Sequence, residues 1–213
     1  MQKRIIDNAT EYIRSFFASD FTGHDFQHSM RVMRMATEIA VSEGADIFIC
    51  QLSALLHDVD DRKLSPHTSE NLDNARAFLV SEGVQDDTIQ KICSIIKQIS
   101  FKGSDSVVPD TLEGKCVQDA DRLDALGAIG IARAFAYGGA HHRAMYDAEI
   151  KPSVNMNEQE YFASQGTTIN HFYEKLFLLK DMMNTECAKK IAQHRHDFMI
   201  DFVDEFLRDW NIE

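Results

Sequence analysis

Apolar residues in this chain recur at three- and four-residue steps and nowhere alternate over a long stretch, which restricts the fold to helices packed on helices. Ile5, Tyr12, Ile13 and Phe16 keep that step in the first segment, and Met30, Met33, Ala36, Ile39 and Ala40 keep it in the second. Breaks fall at Asp20 to Gly23, Glu43-Gly44, Ser65-Pro66, Glu82-Gly83, and Lys102-Gly103 through Pro109, where Gly, Pro or capping residues end helices. Beyond Asp110, Val117, Ala120, Leu123, Leu126, Ile129 and Ile131 continue the period through one or two buried helices. Gly138 to Gly166 carries Pro152 and many polar residues and reads as a long loop, a kind of segment that often carries function. Thr168 to Met183 and Asn184 to Trp210 then predict two C-terminal helices, the last burying a stripe of Ile191, Phe198, Phe202, Phe206 and Trp210. The expected architecture is a single all-α domain, a helical bundle with its core over about 20–136, a loop over about 138–166 and C-terminal helices over about 167–210. At 213 residues such a domain buries roughly 70% of its unfolded surface and needs no staples.

Composition narrows the setting and the partners. Cys50, Cys93, Cys116 and Cys187 contain no C-x-x-C pair, so they indicate small buried hydrophobes in a reducing, cytoplasmic environment rather than a zinc ribbon or a disulfide framework. The first residues, MQKRIIDNATEYIRSFF, interrupt their apolar positions with charges and form no signal-peptide core, and no later run reaches membrane-spanning length. No membrane partner is therefore expected. With 22 Lys+Arg against 34 Asp+Glu the formal net charge is −12, which repels a nucleic-acid polymer over most of the surface. A single phosphorylated metabolite is still compatible, because a bound cation and a few local bases reverse the potential inside one cleft.

Three local groups carry chemistry. In GHDFQHSMRV, His24 and His28 stand one turn apart near a helix start with Asp25 between them and Arg31 three residues on. In LLHDVDD an apolar helix ends in His57-Asp58 followed by Asp60 and Asp61, and acids at a helix C-terminus oppose its dipole by about 0.3–1 kcal/mol each unless a cation offsets them. In QDADRLD, Asp119, Asp121 and Asp124 are set into an otherwise apolar helix, where a buried carboxylate needs a salt bridge or a metal. Singly, each group has an ordinary structural explanation: a solvated histidine, a plain helix end, a salt bridge to Arg122. Together they describe the donors of one cation.

In this order of residues the chain resembles the HD-domain phosphohydrolase superfamily, whose signature is a His, a His-Asp doublet and a distant Asp. The matching positions are His28, His57-Asp58 and Asp121, with Asp119 as the alternative to Asp121. GHDFQHSMRV, LLHDVDD, ISFKG, TLEGKCVQDADRLDALGAIGIARAFAYGG and NTECAKKIAQHRHDF extend the likeness over nearly the whole chain to the bacterial YpgQ/YedJ-like subgroup. The resemblance implies an α-helical, divalent-metal nucleotide pyrophosphohydrolase that splits nucleoside triphosphates to monophosphate and pyrophosphate. Relatives resembling the two-metal HD proteins need further histidines between the doublet and the last Asp, and only His67 lies there, so one metal ion per chain is expected. Two imidazoles and two carboxylates suit Mn²⁺, Fe²⁺, Co²⁺, Ni²⁺ or Zn²⁺ better than Mg²⁺, and Mn²⁺ is favoured.

On this reading a metal-activated water is the nucleophile. Asp61, one turn past His57, matches a position that carries an acid in similar HD hydrolases and is the expected general base, the alternative being that Asp60 and Asp61 are solvated loop acids. Lys102 before Gly103, Arg31, and Arg122 or Arg133 are the expected phosphate contacts, with surface salt bridges as the alternative, and His24 and Asp25 are expected to line the cleft. His141 and His142 lie in the long loop, either covering the nucleotide or simply solvated. Other functions fit the same residues: a 5′-nucleotidase, a cyclic-nucleotide phosphodiesterase, or a metal-binding sensor without turnover. The presence of Asp61 and Lys102 favours an enzyme over a sensor. A homodimer is compatible with the sequence but not demanded by it.

Overall fold

The computed structural model describes residues 1–18, 25–61, 65–157, 159–160 and 166–211. Its regular structure is helical, as the apolar period requires: α1 (Gln2–Phe16), α2 (Phe26–Glu43), α3 (Ile47–Leu56), α4 (Asp73–Ser81), α5 (Asp86–Ile99), α6 (Leu112–Asp124), α7 (Gly127–Ala140), α8 (Thr168–Glu174), a 3-10 turn (Leu176–Met182) and α9 (Glu186–Asn211). Among the described residues there is no β-strand, and no helix is long and apolar enough to cross a membrane. The chain forms two compact units: Met1–Ser100 with Val107–Asp121, and Phe101–Ser106 with Arg122–Glu213.

In the first unit α3 is the central element, packed against α1, α2 and α5. Its sequence IFICQLSALL is apolar nearly all round, which suits a helix enclosed by others, and Cys50, Leu52, Ser53, Ala54, Leu55 and Leu56 are all buried. Ile5, Ala9 and Ile13 of α1, Leu79 of α4, and Ile89, Ile92 and Ile96 of α5 complete the same core. The helix ends are chemically marked. Asp25 caps α2 and Asp46 caps α3 by accepting backbone N–H bonds, and α2 stops at Gly44, whose φ of 76° is the left-handed conformation that glycine adopts without penalty. Gln118 of α6 donates to the carbonyls of Gln98 (3.0 Å) and Val107 (2.9 Å), satisfying a buried amide. The cysteines Cys50, Cys93 and Cys116 are buried, and the Cys50 thiol is pushed well above its ordinary pKa, first by its hydrogen bond with Cys116 and then by burial.

In the second unit α9 packs on α7 and on the 3-10 turn, and α8 packs on α7. Here the structure corrects several expectations. The buried stripe of α9 is Ala188, Ala192, Met199 and Val203, whereas Phe198 and Trp210 are 49% and 46% exposed. Phe202 and Phe206 flank that stripe and meet Phe135 edge-on or tilted at 5.9 Å. The predicted helix over Thr168 to Met183 is interrupted at Lys175, whose φ and ψ of −140° and −59° break the α-helical run and hand over to the 3-10 turn. The long loop begins later than expected, because α7 runs on through Gly138 to Ala140. Gly138 is required there by close approach: a Cβ would lie 2.4 Å from the Thr168 hydroxyl. Ile129, expected on a buried face, is 46% exposed.

Leu55 is fully enclosed by the central helix contacts. Leu55→Ala is expected to destabilise the protein by about 3 kcal/mol, read as a lower urea midpoint, since transfer and cavity costs add at such a site.

Candidate metal centre

Each donor is delivered by a helix end or helix face of the first unit. His28 stands in the opening turn of α2, where the Asp25 carboxylate accepts the His28 backbone N–H at 2.7 Å. His57 is the C-terminal cap of α3, still in the right-handed helical region, and Asp58 follows in the turn, which tightens through i→i+3 bonds from Val59 to the Leu56 carbonyl and from Asp61 to the Asp58 carbonyl. Asp121 comes from the last turn of α6. His28, His57 and Asp58 are buried, and one donor atom of each lies within 4.8 Å of the others.

The distances define the chemistry. His28 Nε2 is 3.2 Å from His57 Nε2, His57 Nε2 is 3.2 Å from the Asp58 carboxylate, and His28 Nε2 is 3.4 Å from it. Asp121 Oδ1 lies 3.4 Å from His28 Nε2 and 3.7 Å from His57 Nε2, with its side chain 28% exposed. Donors about 2.1 Å from one ion at near-octahedral or tetrahedral angles are separated by about 3.0–3.5 Å. The tautomer agrees. His57 Nδ1 lies 2.8 Å from the Ala54 carbonyl, which can only accept, so Nδ1 carries a proton and Nε2 is the ring atom left to act as a donor toward His28 and Asp58. Imidazole nitrogens and carboxylate oxygens facing one another out of water are well satisfied by a positive charge between them. The donor set therefore fits a divalent cation, with the partly exposed Asp121 on its accessible side.

The other predicted residues fall in different places. Asp25 caps α2. Arg31 is half-buried on α2, one turn from His28. Asp61 is half-buried just after the tight turn. His24 lies outside the described residues. Lys102 belongs to the second unit, where its backbone N–H donates to the Ser106 hydroxyl at 2.8 Å. Arg122 is buried and its guanidinium donates to the Met182 carbonyl, while Arg133 pairs with the buried Asp124 carboxylate at 2.7 Å. Within the second unit, Arg122 is thus held by a backbone carbonyl and Arg133 by a carboxylate. Exposed His141 stacks on Tyr137 at 3.9 Å, and exposed His142 has a φ of 55°.

The alternative of a solvated loop acid does not hold for Asp60, which is 3% exposed and accepts the backbone N–H groups of Asn74 (3.1 Å) and Ala75 (2.9 Å). Only a missing cap before α4 could have hinted at this, because Leu72 at that position has no capping side chain.

This ordered set of donors on an all-α scaffold defines the class, and the chain belongs to the HD-domain family of metal-dependent phosphohydrolases. The match to the HD domain covers residues 25–126, which include every donor described above. The chain is similar to the Bacillus subtilis protein YpgQ, with 38% identity over 200 residues that cover 93% of this chain and 90% of YpgQ. A crystal structure from Lactobacillus plantarum superposes with a TM-score of 0.88 at 40% identity, covering 99% of this chain and 98% of that one. An HD-superfamily hydrolase from Bacillus thuringiensis superposes with a TM-score of 0.78 at 38% identity over the full length of both. YpgQ has also been crystallised in complex with ADP, and that structure superposes with a TM-score of 0.75 at 34% identity, covering 96% and 97%.

Arg133→Ala is expected to lower the thermal midpoint by several degrees, because the Asp124 carboxylate loses its guanidinium in a buried setting. An unchanged midpoint with raised KM would instead favour a substrate contact for Arg133.

Proposed function

We propose that the protein is a divalent-metal nucleotide pyrophosphohydrolase, converting a (d)NTP to its monophosphate and pyrophosphate. The observation that carries this reading is the convergence of His28, His57, Asp58 and Asp121, whose facing lone pairs and carboxylates fit one cation. Support for a nucleotide substrate comes from YpgQ, which binds ADP in its crystal structure. The two-imidazole, two-carboxylate set supports one ion per chain, and the choice of Mn²⁺ among the ions that suit it rests partly on the resemblance to the family. Such an ion lowers the proton affinity of a water and withdraws charge from a phosphoryl oxygen.

The residues have distinct parts in this reading. The Ala54 carbonyl holds the His57 proton on Nδ1 and so keeps Nε2 available as a donor. Asp25 orders the backbone at His28. Asp61 takes up the proton of the attacking water on its carboxylate. Arg31, on the helix that carries His28, and Lys102, from its position before Gly103, neutralise substrate phosphate oxygens.

The test is a panel of nucleoside mono-, di-, tri- and cyclic phosphates incubated with Mn²⁺ and pure protein, with products separated by chromatography. Monophosphate plus pyrophosphate from triphosphates is expected. Orthophosphate from a monophosphate, or opening of a cyclic nucleotide, would move the activity to the nucleotidase or phosphodiesterase alternative, and no turnover with metal bound would leave a sensor. Elemental analysis should find about one ion per chain. Asp58→Ala should remove metal and activity together, whereas Asp61→Ala should keep the metal and lower kcat by roughly 10²–10⁴-fold.

A further inference from the structure

The segment that carries the His57-Asp58 doublet is held from outside by a helix that contributes no donor. Asp60 accepts the backbone N–H groups of Asn74 and Ala75 at the start of α4, one on each carboxylate oxygen. The Asn74 side-chain amide returns the contact, donating to the Val59 carbonyl at 3.0 Å and to the Thr68 hydroxyl at 3.1 Å. Val59 is itself buried in the first core. α4 has no side-chain cap of its own, since the capping position holds Leu72, whose φ of 58° and ψ of 48° lie in the left-handed region. A non-glycine residue is disfavoured there and persists only where its surroundings over-determine it. Here Leu72 is buried, and the two residues that follow its neighbour Asp73 are tied to Asp60.

We infer that Asp60 and Asn74 are positioning residues that fix the Asp58 carboxylate for the cation. This inference rests on the metal reading above. On the N-terminal side of Asp58 the His57 ring is tied to the Ala54 carbonyl, and on the C-terminal side the Val59 carbonyl and Asp60 carboxylate are tied to α4. Asp58 therefore sits between two anchored neighbours, and the strain at Leu72 is sustained by the same bonds that hold the turn. Asp60 remains a hydrogen-bond acceptor for α4 and supplies no donor to the ion. The arrangement is an outer shell for the metal site built from backbone contacts rather than from side chains that touch the ligands.

The experiment compares metal-stripped wild type, Asn74→Ala, Asp60→Asn and Asn8→Ala. Asn8 bonds Glu82 beyond the far end of α4 (3.0 and 2.9 Å) and serves as a control for general loosening of that helix. Mn²⁺ affinity is measured from the free-ion electron paramagnetic resonance signal, and amide hydrogen exchange of the peptide spanning Val59 to Asp61 is measured without metal. Asn74→Ala and Asp60→Asn are expected to weaken Mn²⁺ binding about 10–100-fold and to speed exchange in that peptide, while Asn8→Ala stays near wild type. Asn74→Ala removes only a half-buried amide, so it keeps the question answerable should Asp60→Asn fold poorly. Wild-type affinity and exchange in Asn74→Ala, or equal weakening in Asn8→Ala, would overturn the inference. Absence of Mn²⁺ uptake by wild type would instead sink the metal reading, and unaltered exchange in metal-free Asn74→Ala would separately dismiss the clamp.

Discussion

The interaction on which the first unit is organised is the mutual approach of two imidazole nitrogens and a buried carboxylate, with a second carboxylate at their open side. Such a cluster is unfavourable in a dry interior without compensating positive charge, and the cost is carried by packing elsewhere. α3 is the element that makes it affordable, because its apolar surface is enclosed by α1, α2 and α5 and its end cannot easily drift toward water. A cation bound at this point would stabilise the folded chain as well as serve chemistry, since its donors are brought together only by folding.

Three acids within four residues meet different fates for a local reason. Asp58 faces imidazoles, Asp60 faces backbone amides at the start of another helix, and Asp61 stays half-buried after the turn. Their carboxyl groups are chemically almost identical, so the difference lies in which donors the fold brings to each. The same rule separates the acids of α6: Asp121 approaches the histidines, while Asp124 takes the guanidinium of Arg133.

Much of this was legible in the sequence. The period of apolar residues marked the helices, Gly44 and Gly83 marked ends that the structure places at left-handed turns, and the order His28, His57-Asp58, Asp121 marked residues that do come together. The α9 stripe was misread because aromatic side chains dominate a hydrophobic pattern, whereas the buried positions are held by Ala188 and Ala192, whose small size permits close packing, with Met199 and Val203. The interruption at Lys175 had no Gly or Pro to announce it. Asp60 was hidden because its partners are backbone N–H groups, which leave no trace in residue type, and the carbonyl and carboxylate that hold Arg122 and Arg133 lie too far along the chain for local spacing to reveal them.

The buried thiols bear on which ions the chain could retain. Cys50 sits two turns before His57 on α3, and Cys116 lies on α6 ahead of Asp121, so sulfur is carried by two of the helices that present the nitrogen and oxygen donors. A thiolate would compete for soft ions such as copper(I). The hydrogen bond to Cys116 and then enclosure keep Cys50 in its protonated, poorly coordinating form. Of the donors carried by α3 and the turn that ends it, the harder imidazole and carboxylate are thereby left to select the ion.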